Sequence, residues 1–248
     1  MGKRILQRRR GKGGIQWRVP HKGKIAPVRY PNLPTEGEQK LLVKAILDER
    51  GRSAPLAQLE YGSGNYAYIP AVSGLTVGNQ ISLGSLAPAS TGNILPLQTI
   101  PEGTRVSNIE LRVGDGGKLV RASGGSAVLF SKGNGTAILR LPSGKSILVD
   151  EKCRATVGEI AGGGRLEKPF MRAGPRFHAM QAAGRPYPRM RGIAMAVVYH
   201  PFGGGRHQHP GKSTSTSRNA PPGRKVGLIA PRKTGRKRLA RTSVEVER

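Results

Sequence analysis

The sequence has a single cysteine, Cys153, in 248 residues. A disulfide within the chain is excluded, and with it the class of small secreted domains stapled by such bonds. Aromatic residues make up only 4% of the chain and apolar residues 36%. A chain so composed cannot bury a large core along its whole length, so part of it must be loop or tail. Long apolar runs are also missing. The longest is Ile193 to Tyr199, seven residues, against the roughly 20 that a membrane-spanning helix needs. No secretory signal is expected, because Arg and Gly interrupt the N-terminus from Lys3 onward. A mitochondrial leader is not expected either, since Gly11, Gly13, Gly14 and Pro20 would break its amphipathic helix. Leu6 stands where a myristoylation signal requires Ser or Thr. The scarcest charge is negative: 14 Asp and Glu face 42 Lys and Arg, a formal charge of +28. Cations in that excess repel one another, and a polyanion, nucleic acid first, must neutralise them.

What is abundant is glycine, 36 residues, about twice the usual share of roughly 7%. The charge is unevenly spread. Residues 1–29 carry ten Lys and Arg and no acid, residues 30–165 fourteen bases and eleven acids, and residues 166–248 eighteen bases and three acids. The middle is nearly an ordinary soluble domain, and the ends are basic arms. The middle also reads as β. Leu41 to Asp48 fits a buried strand or a short helix, and the turn-like Glu49 to Ser53 after it favours a strand. Ala57 to Tyr61 and Tyr66 to Ile69 flank a hairpin signal at Gly62 to Asn65, and Leu75 to Leu83 holds a further short strand. A second set runs through Val106–Val113, Ala127–Phe130, Thr136–Leu141, Lys145–Val149 and Arg154–Ile160, with turn signals between. Short strands at this spacing favour two small antiparallel barrels, with a boundary in the Pro88–Asn93 loop. After Ile160 the pattern gives way to Gly and Pro, and only Ile193–Tyr199 looks like another strand.

Several segments carry chemistry. The N-terminal arm, Lys3 to Gly14, mixes Arg with Gly: planar guanidinium forks suit phosphates, and glycine lets backbone come close. A solvated tail or a localisation signal is the plainer alternative. Six of the ten residues from Arg232 to Arg241 are cationic. Trp17 and Tyr30 lie among cations, where stacking on bases and packing against a barrel are equally open. Tyr199 to Lys212 contains Gly203-Gly204-Gly205 and three of the five histidines, His200, His207 and His209. Three glycines offer unhindered backbone N–H groups to phosphate or ribose oxygens. No G-x-x-x-x-G-K-[ST] surrounds them, so this is not a nucleotide-enzyme loop. The histidine spacing matches no common zinc pattern and no carboxylate lies nearby, so contact with RNA bases is the better reading. Cys153 reads as a small buried residue in a strand rather than a nucleophile, and Asp150-Glu151 as a strand-end turn.

At His200-Pro201-Phe202-Gly203-Gly204-Gly205, followed by His207-Gln208-His209-Pro210-Gly211-Lys212 and Arg218 to Gly227, the chain resembles the universal large-subunit ribosomal proteins of the L-two family. Arg52-Ser53-Ala54-Pro55, Gly114 to Gly117, Leu141 to Gly144, Cys153 to Gly158 and Arg191 to Met195 also fit, so the likeness covers nearly the whole chain. Bacterial members commonly carry a second His where Phe202 stands, which makes this chain similar to the archaeal and eukaryotic branch. Many members have an acid just before the first His. Here Ala196 to Tyr199 replaces that segment, and an acid–His pair is absent.

The resemblance implies a mainly β chain: an OB-fold barrel, then an SH3-like barrel, with long irregular basic N- and C-terminal extensions. The expected division is 1–35 basic arm, 36–91 OB-fold, 92–166 SH3-like barrel and 167–248 extension. The implied function is that of a structural constituent of the large ribosomal subunit, in the cytoplasm. It would bind rRNA and neighbouring ribosomal proteins, support assembly of the peptidyl-transferase region and subunit association, and lie near the small-subunit interface and tRNA. A free RNA chaperone or translation factor is the alternative, and an enzyme using His200 as general base the rival from another class. No membrane, small-molecule substrate or cofactor is expected beyond Mg2+ shared with rRNA phosphates. RNA contacts are expected from Arg4, Arg8, Arg9, Arg10, Lys12, Trp17 and Arg18 in the first arm. Around the histidines they are expected from Arg191, His200, Gly203, Gly204, Gly205, Arg206, His207, His209 and Lys212. Beyond these they are expected from Arg218, Arg224, Lys225, Arg232, Lys233, Arg236, Lys237 and Arg238. No catalytic or metal-binding residue is expected.

Overall fold

A computed structural model describes residues 2–62, 64–232 and 234. The chain forms two compact units: a sheet unit, His21–Met171, and a basic unit, Met1–Pro20 with Arg172–Arg248. The sheet unit contains ten strands. In chain order they are β1 (Gln39–Leu47), β2 (Leu56–Tyr61), β3 (Asn65–Pro70), β4 (Gln80–Leu83), β5 (Ile94–Pro96), β6 (Arg105–Ser107), β7 (Ala127–Gly133), β8 (Thr136–Arg140), β9 (Ser146–Asp150) and β10 (Arg154–Val157). They form one sheet in the order β3-β2-β1-β4-β5-β10-β6-β7-β8-β9. The chain is mainly β, in keeping with an OB-fold followed by an SH3-like barrel, and the hydrogen-bonded ladder runs open from β3 to β9.

Alternation explains how one sheet serves two cores. In β1 the side chains of Leu41 and Val43 are buried while Lys40, Leu42 and Lys44 face out, as a period of two requires. Leu41 and Val43 join Leu59, Ile69, Ile81, Leu83 and Ile94 in the first core. Leu95, one residue after Ile94, belongs instead to the second core with Val106, Ile109, Leu129, Leu139 and Cys153. Successive side chains on a strand point to opposite faces, so β5 sends one residue into each core. It bridges the halves by pairing parallel with β4 and antiparallel with β10.

The turns follow their residues. The β7–β8 hairpin closes through Asn134-Gly135, with Gly133 opposite Thr136 and both loop residues at positive φ, 55° and 77°. This is the geometry for which Asn-Gly is suited. Cys153 is fully buried, and burial pushes its thiol up to about 12, which suits a packing residue. Tyr30 is buried among core residues rather than left for a base.

A buried ion pair closes the second half. Glu110 is fully buried and Arg154 is 5% exposed. The Arg154 guanidinium donates to Glu110 Oε1 from Nη2 at 2.8 Å and from Nε at 3.1 Å, and to the Pro31 carbonyl from Nη1 at 3.1 Å. The backbone N–H groups of Arg154 and Gly116 also donate to the Glu110 carboxylate, each at 2.9 Å. The Tyr30 hydroxyl donates to the Asn108 carbonyl at 2.6 Å and lies 2.7 Å from Thr156 Oγ1. One charge cluster thus ties the segment before β1, the loop after β6 and strand β10 together.

Three readings of the sequence need correction. Ile193–Tyr199 is not a strand. Gly192–Ala194 forms a 3-10 turn, and local bonds use the backbone groups a ladder would need. Tyr199 N–H donates to Ala196, and Gly204 N–H to Met195. The stretch after Ile160 is not wholly irregular either, since α2 spans Ala173–Ala182. Gly174-Pro175 hides it, yet proline is tolerated in a first helical turn, where its missing N–H has no partner to lose. Within the second strand set, Val106–Val113 forms a strand only at its start, because Asn108 turns the chain at φ 48°.

Removing one partner of a buried pair strands the other charge. Glu110→Ala is expected to lower the unfolding free energy of the full chain by about 3–5 kcal/mol, measured by urea titration. Exposed Lys44→Ala, at the Lys44–Glu60 surface pair, is expected to cost under about 1 kcal/mol.

Candidate nucleic-acid interface

The described part of the basic unit carries no acid. Residues 1–20 and 172–234 contain nineteen Lys and Arg and no Asp or Glu. Among the described residues the five ion pairs all lie in the sheet unit. Among the described residues, cations of the basic unit instead face aromatic rings and the Gln208 amide oxygen. Helix α1, Leu6–Gly11, places Arg8, Arg9 and Arg10 in its last turn, where the helix dipole favours positive charge. A 3-10 turn, Ile15–Trp17, follows. It brings Trp17 under Arg10, whose guanidinium carbon sits 4.8 Å from the ring centroid. Burial, and then the nearby Arg189 charge, pull the Arg10 guanidinium below its ordinary value. Its Nε is buried without a hydrogen-bond partner among the described residues. Lys3 lies 5.3 Å from the Tyr199 ring, and its backbone N–H donates to the Val198 carbonyl at 2.8 Å.

His200 is held by its surroundings. Phe202 N–H donates to His200 Nδ1 at 3.1 Å, and the two rings lie 5.3 Å apart. Nδ1 is therefore the acceptor, and the neutral ring carries its proton on Nε2. Burial holds the imidazole below its ordinary value. The ring rests directly on Gly192, where any Cβ would come within 2.6 Å of both ring nitrogens.

Two of the three glycines do a different job from the one their sequence suggests. Gly203 N–H donates to the His200 carbonyl and Gly204 N–H to the Met195 carbonyl, both at 2.9 Å. Those two amides are spent inside the fold and are not free for phosphates. A Cβ on Gly203 would stand 2.5 Å from the Met195 and Ala196 carbonyl oxygens, so Gly203 exists to let two backbone segments touch. Gly205 is exposed at φ 83°.

The remaining expected contacts fall as follows. Arg4, Arg8, Arg9, Lys12, Arg18, Arg191, Arg206, His207, His209, Lys212, Arg218, Arg224 and Arg232 are exposed. Arg10, Trp17, His200 and Lys225 are half-buried. His207 and His209 stack on each other, with centroids 6.5 Å apart, and Arg191 reaches Gln208 at 3.4 Å. Lys233, Arg236, Lys237 and Arg238 lie outside the described residues. Arg4, Arg9 and Trp17 meet in one cleft of about 570 Å³ with Arg189, Met195 and Tyr199. Arg8 and His200 line a second of about 390 Å³, and Lys212 and Arg224 a third of about 660 Å³. Sequence reasoning missed Arg189 and the support role of Gly192. Both depend on irregular chain paths that leave no periodic signal.

Relatives now bear on this arrangement. A family model described as "Ribosomal Proteins L2, C-terminal domain" matches residues 90–225. The chain is 48% identical over 239 residues to the large ribosomal subunit protein uL2 of Cenarchaeum symbiosum, covering 96% of this chain and 98% of that protein. It is 50% identical over 243 residues to the protein of the same name from Korarchaeum cryptofilum, covering 98% and 99%. The uL2 of Methanothermobacter thermautotrophicus is 47% identical over 241 residues, covering 96% of this chain and 100% of its own. The chain belongs to the uL2 family, in its archaeal-type branch. The uL2 match includes His200, Gly192 and the glycine run, the residues whose contacts hold this part of the basic unit together.

A depressed histidine takes up its proton more readily in the unfolded chain. Its contribution to stability is therefore full above the ordinary value of about 6.5 and is lost as pH falls through it. NMR titration is expected to give His200 a midpoint below that value. Gly192→Ala, which pushes the ring off its seat, is expected to move the midpoint back toward it.

Proposed function

We propose that the chain is a structural constituent of the large ribosomal subunit in the cytoplasm, where its basic unit neutralises and packs rRNA. The observation that carries this is the acid-free part of the basic unit, nineteen cations without a carboxylate over residues 1–20 and 172–234, on a chain of the uL2 family. Such a unit is stable only beside a polyanion that replaces its counterions. Its surface combines exposed Arg with half-buried rings, which suits irregular RNA in which bases are unstacked. The basic arms order on the RNA, and the sheet unit, with its mixed charges, anchors them. Barrels at 36–91 and 92–166, an arm at 1–35 and an extension at 167–248 are part of the same reading, supported by the two separate apolar cores. The RNA-binding residues are the exposed and half-buried cations named above, with Trp17, His200, His207 and His209. Neighbouring ribosomal proteins are partners. Subunit association, a place near the small-subunit interface and tRNA, and support of the peptidyl-transferase region complete the proposal, with Mg2+ shared among the phosphates.

His200 is a positioning residue on this reading. Its Nδ1 is engaged by Phe202, and no carboxylate of residues 172–234 exists to orient it. A free RNA chaperone or translation factor is disfavoured by the names of the relatives, which are those of a subunit protein.

The full chain is expected to stay with the large subunit through a moderate-salt wash, read by sedimentation and immunoblot. Release at that salt into the free-protein fraction would favour the factor. Assembled ribosomes carrying His200→Ala are expected to retain near-normal single-turnover peptidyl transfer, within about threefold. A loss of about 100-fold or more, the range of a general base, would make His200 catalytic.

A further inference from the structure

The cleft beside α1 combines three features that a plain phosphate contact does not need. It is large, about 570 Å³, within the range that holds a small organic ligand. It carries apolar and aromatic surface from Trp17, Met195 and Tyr199, and positive charge from Arg4, Arg9 and Arg189. Beside it, Arg10 covers one side of the Trp17 ring at 4.8 Å while its buried Nε has no partner among the described residues. Arg189 is close enough for its charge to help pull the Arg10 guanidinium down, yet no acid of the unit's residues 1–20 and 172–234 lies between them. Phosphate alone would satisfy the guanidiniums and leave the rings bare. An apolar group alone would fill the cleft and leave the charges opposed.

We propose that this cleft receives one unstacked nucleotide of RNA, its base against Trp17 and the apolar wall and its phosphate among Arg4, Arg9 and Arg189. A base has a π-face whatever its identity, so the site reads unstacking rather than sequence. The Arg10 cation over Trp17 strengthens the arrangement, since a guanidinium and a base can share one indole. This rests on the rRNA-binding reading and adds to it one located subsite.

Trp17 is the only tryptophan in the chain, so its emission reports on this cleft alone. The full-length chain would be titrated with a single-stranded adenosine pentanucleotide, and with a pentamer of abasic ribose phosphates bearing the same charge. The expected result is that both bind, that only the adenosine oligomer quenches Trp17, and that it binds about tenfold more tightly or better. Ala194→Phe, which fills the cleft but spares Trp17, the arginines and the sheet unit, is expected to abolish the quench while leaving abasic binding unchanged within about twofold. Circular dichroism checks that the variant is folded. A variant that does not fold is replaced by Met190→Phe, at a separate residue of the lining. Equal quenching by both oligomers, or salt-sensitive binding of both without any quench, would overturn the subsite and leave the rRNA reading standing. No binding of either oligomer or of rRNA would overturn both.

Discussion

Nineteen cations without one carboxylate, over residues 1–20 and 172–234, form the constraint on which the rest depends. Like charges at protein distances cost free energy that no internal contact here can return. The unit does what it can with weaker partners. Arg10 faces Trp17, Lys3 faces Tyr199 and Arg176 faces Tyr187, with cation-to-centroid distances of 4.8, 5.3 and 5.0 Å. Each such contact is worth about 0.5–2 kcal/mol, too little to offset the whole field. The missing anions must come from outside. That is why a family of ribosomal proteins is the fitting identity for the chain.

The sheet unit solves the opposite problem. It has acids enough to pair its bases, and it spends the best pair in its interior. Glu110 and Arg154 cost free energy to bury, and that cost is offset by hydrogen bonds that the Gly116 and Arg154 backbone N–H groups donate to Glu110 and one that the Pro31 carbonyl accepts from Arg154. The result fixes the register of the loop after β6 against β10. Together with β5, which feeds Ile94 to one core and Leu95 to the other, it ties the two cores of the sheet unit together.

Much of this was legible in the residues themselves. Short apolar or alternating runs bounded by turn signals marked β1, β2, β3, β7, β8 and β9, and Asn134-Gly135 marked its hairpin, because strand runs and tight turns are local properties. The charge asymmetry also marked the segments that make up the basic unit. Other features were not legible, for definite physical reasons. The Glu110–Arg154 pair joins residues 44 apart, and nothing local separates Glu110 from the ten other acids of residues 30–165. Helix α2 was hidden because Gly174-Pro175 is read as a break when it lies in a first turn. The glycine run suggested free amides, yet Gly203 and Gly204 donate to carbonyls of the fold. A glycine needed for close approach and one needed for ligand contact look alike in sequence. Gly192 beneath His200 is the same case, and only the fold shows the imidazole resting on it.

The central claim is that an uncompensated charge field, rather than a shaped protein core, drives the basic unit onto RNA. The most direct measurement is the affinity of the full chain for large-subunit rRNA between 50 and 200 mM salt. The account predicts a slope of log affinity against log salt of about −5 or steeper, since each phosphate neutralised contributes about −0.7 to −0.9. An affinity that stays constant over that range would contradict it.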